Sequence, residues 1–302
     1  MSVDRLNIGL ILASTALAVV VPFELFLGSY AVLGPLHYLT QLRWLHHRDY
    51  FARPGGRPWL VALVLLSLGF ALPAACRWQP GLAWANDAAI LAVALAIGLS
   101  FQRPRSGLVA GLLAASAFHG QPWALSAFGV YLPTLVHVYV FTGAFMLMGA
   151  LRSGSGDGLT AAVLLAMVPA VFVLAPADWL GLPGSDARSA LAAGGFDALS
   201  VGLAEGLHPG ATAEHALRAQ AFIAFGYSYH YLNWFSKTSV IGWLDGLRRP
   251  AAWTMAAVWV SCVALYFWDY GIGVRVVLTL SVVHVFLELP LDALVVRRLI
   301  AR

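Results

Sequence analysis

Ten apolar runs follow one another along the chain, at about 7–27, 28–46, 58–76, 87–101, 107–124, 128–151, 159–181, 214–236, 251–269 and 273–296. A helix needs about 20 apolar residues to cross a bilayer. No water reaches the hydrocarbon to satisfy bare N–H and C=O groups, so each run must close its own hydrogen bonds as a helix. The expected fold class is therefore all-α: a polytopic membrane helix bundle of nine to ten transmembrane helices, forming one domain over residues 1–302.

The count turns on 28–46. If this run spans, there are ten helices and the N-terminus lies inside; if it rests in the interface, there are nine and the N-terminus lies outside. Spanning is the preferred reading, although Gly28 and the pair Gly34-Pro35 can break or kink the segment. The first run lacks a basic leader and is followed by further membrane segments, so it reads as a retained helix rather than a signal peptide.

The chain is 60% hydrophobic and 11% charged. Soluble domains have about 45–50% apolar and about 25% charged residues, so a water-soluble enzyme and a disordered chain are excluded. The net charge of +4 does not mark a nucleic-acid groove, because the basic residues sit in short loops between apolar runs. One side collects thirteen of the eighteen Lys and Arg, from Arg43 to Arg302, including Arg53. The other holds Arg77, Arg188, Arg218 and Arg275, with Arg5 in the N-terminal tail. The positive-inside rule makes the first side cytoplasmic, with the C-terminus there, as in a bacterial inner membrane. Cys76 and Cys262 have neither pairing nor metal spacing. The longest stretch between runs, 182–213, carries Leu191, Phe196, Leu199, Leu203 and Leu207 at helical spacing, which reads as an amphipathic helix on the outer side.

Chemistry must come from the small polar remainder. Ionisable groups inside a bilayer are costly and mark candidate sites. Of nine histidines, His37, His137, His230 and His284 each fall within a different run. Neutral imidazole is the commonest metal ligand, and a cluster suits iron, zinc or copper better than magnesium or calcium. Against this stands the simpler reading, that each histidine hydrogen-bonds a neighbouring helix. Glu288 is four residues after His284 and shares its helix face, as a ligand or as the group that orients one. Asp292, a turn further on, is expected to pair with Arg297 and Arg298 at the inner surface. Glu24 has the same two readings as Glu288, ranked lower. Tyr227, His230 and Trp234 share a face of an aromatic helix, which makes Tyr227 a second catalytic candidate beside Glu288. His119 is a reserve ligand; His46, His47, His208 and His215 belong to loops or surfaces.

Three segments resemble the Brp/Blh family of membrane β-carotene oxygenases. The stretch Leu33-Gly34-Pro35-Leu36-His37-Tyr38-Leu39-Thr40 is similar to that family's GLPHGxxD motif, without its aspartate. Ala224 to His230 is similar to its late aromatic helix, with Trp234 where a second histidine would fall, and His284 to Asp292 is similar to its last helix. The resemblance implies a membrane non-haem iron site more than it implies β-carotene as substrate. The expected function is a membrane metalloenzyme with His37, His137, His230 and His284 on iron, acting with O₂ on a lipophilic isoprenoid or lipid substrate. Zinc or copper are the alternative metals. A zinc hydrolase with Glu288 as base, a proton-coupled transporter, and a structural membrane protein are the alternative functions.

Overall fold

The computed structural model of the chain describes residues 2–48, 56–76 and 81–301. Arg53, Arg77 and Arg302 of the charge count lie outside these. Among the described residues all regular structure is helical. Seven helices are long and apolar enough to cross a membrane: Val3–Val20 (α1), Arg57–Ala75 (α4), Leu82–Ser100 (α5), Tyr131–Ser153, Gly156–Leu174 (α9), Arg249–Trp268 (α14) and Tyr270–Ile300 (α15). A bent pair, Ser185–Gly194 (α10) and Asp197–Leu207 (α11), would make eight. The other runs also fold as helices. Pro104–Phe118 (α6) has only 15 residues. Ala213–Ser236 (α12) has 24, but Glu214, Arg218, His230 and Asn233 make it polar, and the short Thr238–Ile241 (α13) follows it.

The helix breaks do not all fall where composition places them. The first helix stops at Val20, and a new one starts at Pro22, whose missing N–H suits a first helical turn. Pro22–Gly28 (α2) then passes without interruption into Gly34–His47 (α3). Pro35 does not break this rod. Its missing donor is absorbed by a π-helical stretch, Ser29–Leu33, where the backbone widens. A second π stretch, Ala127–Phe141, surrounds Pro133 and joins Pro122–Ser126 (α7) to Thr142–Ser153 (α8). It carries His137.

Two helices organise the packing. The α12 helix lies against α1, α2, α9 and α11, while α15 lies against α3, α4, α5 and α14. Each is the spine of one apolar cluster: Phe225, Tyr229 and Ile223 of α12 belong to the first, and Phe286, Leu287 and Val295 of α15 to the second. By contrast α14 is mostly exposed, as expected of a helix facing lipid. The start of α1 is fastened to the start of α9, where Ser155 donates to Asp4 (2.5 Å) and Arg5 donates to Asp157 (2.8 Å).

The expected amphipathic helix over 182–213 is two helices. Gly195 adopts the left-handed conformation (φ 73°) that ends α10, and α11 leaves at 76°. Phe196, at the corner, stands edge-on to Phe26 (5.0 Å) and Tyr30 (5.1 Å). This bent pair thus caps one end of the bundle by apolar contact.

Glycine permits the close crossing of α5 and α6. A Cβ on Gly98 would stand 2.8 Å from the Cα of Gly107. Gly107→Leu is expected to cost about 1–3 kcal/mol by forcing the helices apart. The thermal midpoint in detergent should fall by several degrees. Gly9→Leu, where nothing lies within 4 Å, should leave it within about 1–2 °C.

Candidate metal centre

Four helical segments each contribute one imidazole to the bundle interior: His37 from α3, His137 from the π stretch before α8, His230 from α12 and His284 from α15. All four are buried. Their ring centres form a closed square. The sides are His37–His230 at 4.6 Å, His230–His137 at 5.1 Å, His137–His284 at 5.0 Å and His284–His37 at 5.3 Å. Imidazoles on one ion, with metal–nitrogen bonds of about 2.1 Å, place their ring centres about 3.2 Å from it, so neighbouring rings lie about 4.6–5.3 Å apart. The four sides fall in that range, while the ligand atoms sort into two triads, His37–His230–His284 and His137–His284–Glu288.

The nitrogen atoms are sorted as well as the rings. The Thr142 hydroxyl donates to the carbonyl of Val138 (2.8 Å), so toward His230 Nδ1, also at 2.8 Å, it acts as acceptor. That places the His230 proton on Nδ1 and the lone pair on Nε2. His284 Nδ1 lies 2.6 Å from the carbonyl of Ser281, which can only accept, so His284 Nε2 also carries a lone pair. His284 Nε2 is buried with no hydrogen-bond partner. His37 Nε2 stands 3.0 Å from His230 Nε2. A lone pair facing a second ring nitrogen at this distance needs a proton or a cation between them.

Carboxylates close the other side. Glu288 Oε2 is 3.5 Å from His137 Nε2, and Asp292 Oδ2 is 3.6 Å from His137 Nδ1. Neither oxygen has a hydrogen bond, although both are buried. The ligand atoms of His37, His230 and His284 all lie within 4.8 Å of one another, as do those of His137, His284 and Glu288. Buried polar atoms without partners are rare because each costs about 1–3 kcal/mol. They gather around two overlapping triads that share His284, and either triad could hold a metal ion. The donor set suits iron, zinc or copper.

A cavity of about 540 Å³ reaches this point. His37, His137, His230 and Glu288 line its inner end, and Phe141, Phe145 and Met146 form apolar wall beside them. Its other end is lined by Asp4, Lys237 and Val240, where α1 begins and α12 ends. A volume of this size accommodates a drug-sized ligand.

The four histidines and Glu288 thus come together. Tyr227 does not belong to the square. It packs edge-on to Phe26 (5.4 Å) and Tyr30 (5.9 Å), and lines a separate cavity of about 270 Å³ beside the bent pair α10–α11. Two tyrosines flank the square: Tyr38 stacks on His284 at 4.3 Å, Tyr231 lies 5.2 Å from His37, and the two share a 2.7 Å hydrogen bond. For Tyr38, its position one residue after His37 was the available signal. Asp292 is a further correction. Arg297 turns instead to the carbonyl of Ser100, and Asp292 is fully buried behind His137. Their separation of one and a half helical turns puts them on different faces. Trp234 stands edge-on to His37 at 5.5 Å and donates to Thr40. Away from the centre, His119 pairs with Asp87 near the surface, His208 stacks on His215, and Glu24 accepts from the backbone of Gly184. Thr142 carried no sequence signal, because its role depends on contact with another helix.

Loss of an orienting partner typically weakens a metal site about 10–100-fold. Thr142→Val, which keeps the side-chain shape and removes the acceptor for His230, should raise the Kd for Zn²⁺ or Fe²⁺ by that factor in a chelator competition. Thr15→Val, on α1 and bonded only within its own helix, should not change it.

Comparison with family models, with curated proteins and with solved structures finds no match to this chain.

Proposed function

We propose that the chain is an integral membrane metalloenzyme in which His37, His137, His230 and His284 hold one non-haem iron and O₂ oxidises or cleaves a lipophilic isoprenoid or lipid substrate. The observation that carries this reading is the closed square of four imidazoles, with the His284 Nε2 lone pair left bare inside it. Iron held there would supply the binding and activation of O₂. The chain's own residues have definite tasks. Thr142 and the Ser281 carbonyl hold His230 and His284 in the tautomer that offers Nε2. Glu288, at the inner end of the cavity, is placed to take or release a proton beside bound substrate. Phe141 and Phe145 keep water from the reacting end.

In the membrane this reading has ten spans, with α2–α3, α6 and α12 added to the seven apolar helices, and both termini on the cytoplasmic side. The fastening of the start of α1 to the start of α9 supports placing those ends together. The cavity then opens toward the cytoplasm. Cys76 is exposed just beyond the end of α4, on the opposite side, whereas Cys262 is buried. An impermeant maleimide added to intact cells should label Cys76; labelling only after permeabilisation would reverse the orientation.

Purified protein reconstituted anaerobically with Fe²⁺ should hold about one iron per chain. It should consume O₂ in the presence of a lipophilic substrate, and His284→Ala should do neither. Zinc retained at one equivalent with no O₂ uptake would favour the hydrolase, with Glu288 as base. Less than a tenth of an equivalent of iron, zinc or copper would remove the metalloenzyme reading.

A further inference from the structure

The cavity has a chemical asymmetry that the metal centre does not require. At one end stand the imidazoles. At the other stands Lys237, the residue that follows α12. Apolar side chains make up most of the wall between them, including Phe141, Phe145, Met146 and Leu291.

Lys237 is unlike the other charged groups at this end. Arg5 is paired with Asp157. Asp4 accepts from Ser155, whose Oγ in turn accepts from the backbone N–H of Gly158, so Asp4 is committed to pinning α1 onto α9. Lys237 has no carboxylate within ion-pair distance among the described residues. Burial pushes its ammonium down to about 8, with Asp4 opposing the shift, so it is charged at neutral pH but poorly hydrated. A half-buried cation on a mostly apolar wall gains from an anion delivered by a ligand.

The geometry points to a single-chain amphiphilic acid as the ligand of this cavity, with its carboxylate on Lys237 and its apolar chain running inward to the histidine square. A carboxylate fits better than a phosphate. The site offers one point charge and no guanidinium fork, and Asp4 nearby disfavours a dianion. Seven residues of helix separate Lys237 from His230, about 10 Å. The part of the ligand presented to the metal centre is therefore a mid-chain or distal carbon, not the head group. This names the substrate class for the proposed oxidation and rests on that reading only for what happens at the metal, since binding itself needs no iron.

The test uses the full chain, purified with chelator and metal-free, and a fluorescent single-chain fatty acid alongside its methyl ester. The acid should bind saturably with one site per chain, at least tenfold more tightly than the ester. Lys237→Met should weaken the acid at least tenfold and leave the ester unchanged. Lys237→Arg, which restores the charge, should bring the acid back within about threefold of the unaltered protein. A fatty acid with a photoreactive group at its far end should label Phe141 or Phe145. Equal binding of acid and ester, an unchanged acid affinity in Lys237→Met, or labelling confined to lipid-facing helices would each overturn the assignment. Because no metal is present, a failed iron measurement leaves this result standing, and the reverse also holds.

Discussion

Four imidazoles and two carboxylates meet inside a bundle otherwise built from aliphatic and aromatic side chains, and this concentration of polar atoms is the constraint on which the rest depends. Apolar helix faces without and close-packed side chains within leave such groups nowhere else to find partners. The helices that bring them together are the two spines of the bundle, α12 and α15, with α3 and the π stretch before α8 filling the gap. The site therefore sits where the two apolar clusters adjoin, and cannot be removed from the packing that surrounds it.

Irregular backbone does much of the positioning. Both π stretches adjoin prolines, Pro35 and Pro133, and both precede or contain a histidine of the square. A π turn changes the direction of every side chain that follows, so it can aim His37 or His137 where a uniform α-helix would not. Hydrogen bonding then settles which nitrogen faces the centre. His284 uses a carbonyl of its own helix, whereas His230 relies on Thr142 of a neighbouring one.

The sequence was most legible where a physical rule acts residue by residue. Apolar length announced the helices, and the rarity of imidazole in apolar runs picked out the four histidines that converge. The spacing of His284 and Glu288 placed both on one face. Less legible were features that depend on contacts between distant segments. Tyr227 carried the right spacing to His230, yet its ring turns to the outer aromatic layer, while Tyr38 lies on His284. Asp292 sits near two arginines in sequence, but helix periodicity turns it inward to His137. Pro35 looked like a helix breaker, and the backbone absorbed it by widening. The hinge at Gly195 lay inside a pattern of leucines that continued smoothly across it.

X-ray absorption on the iron-loaded protein tests whether the four histidines share one metal ion, because the scattering from imidazole rings counts them. A mononuclear centre with four imidazole nitrogens at about 2.1 Å is expected, falling to three in His137→Ala. A centre with two or fewer imidazoles, or a count that His137→Ala leaves unchanged, would contradict it.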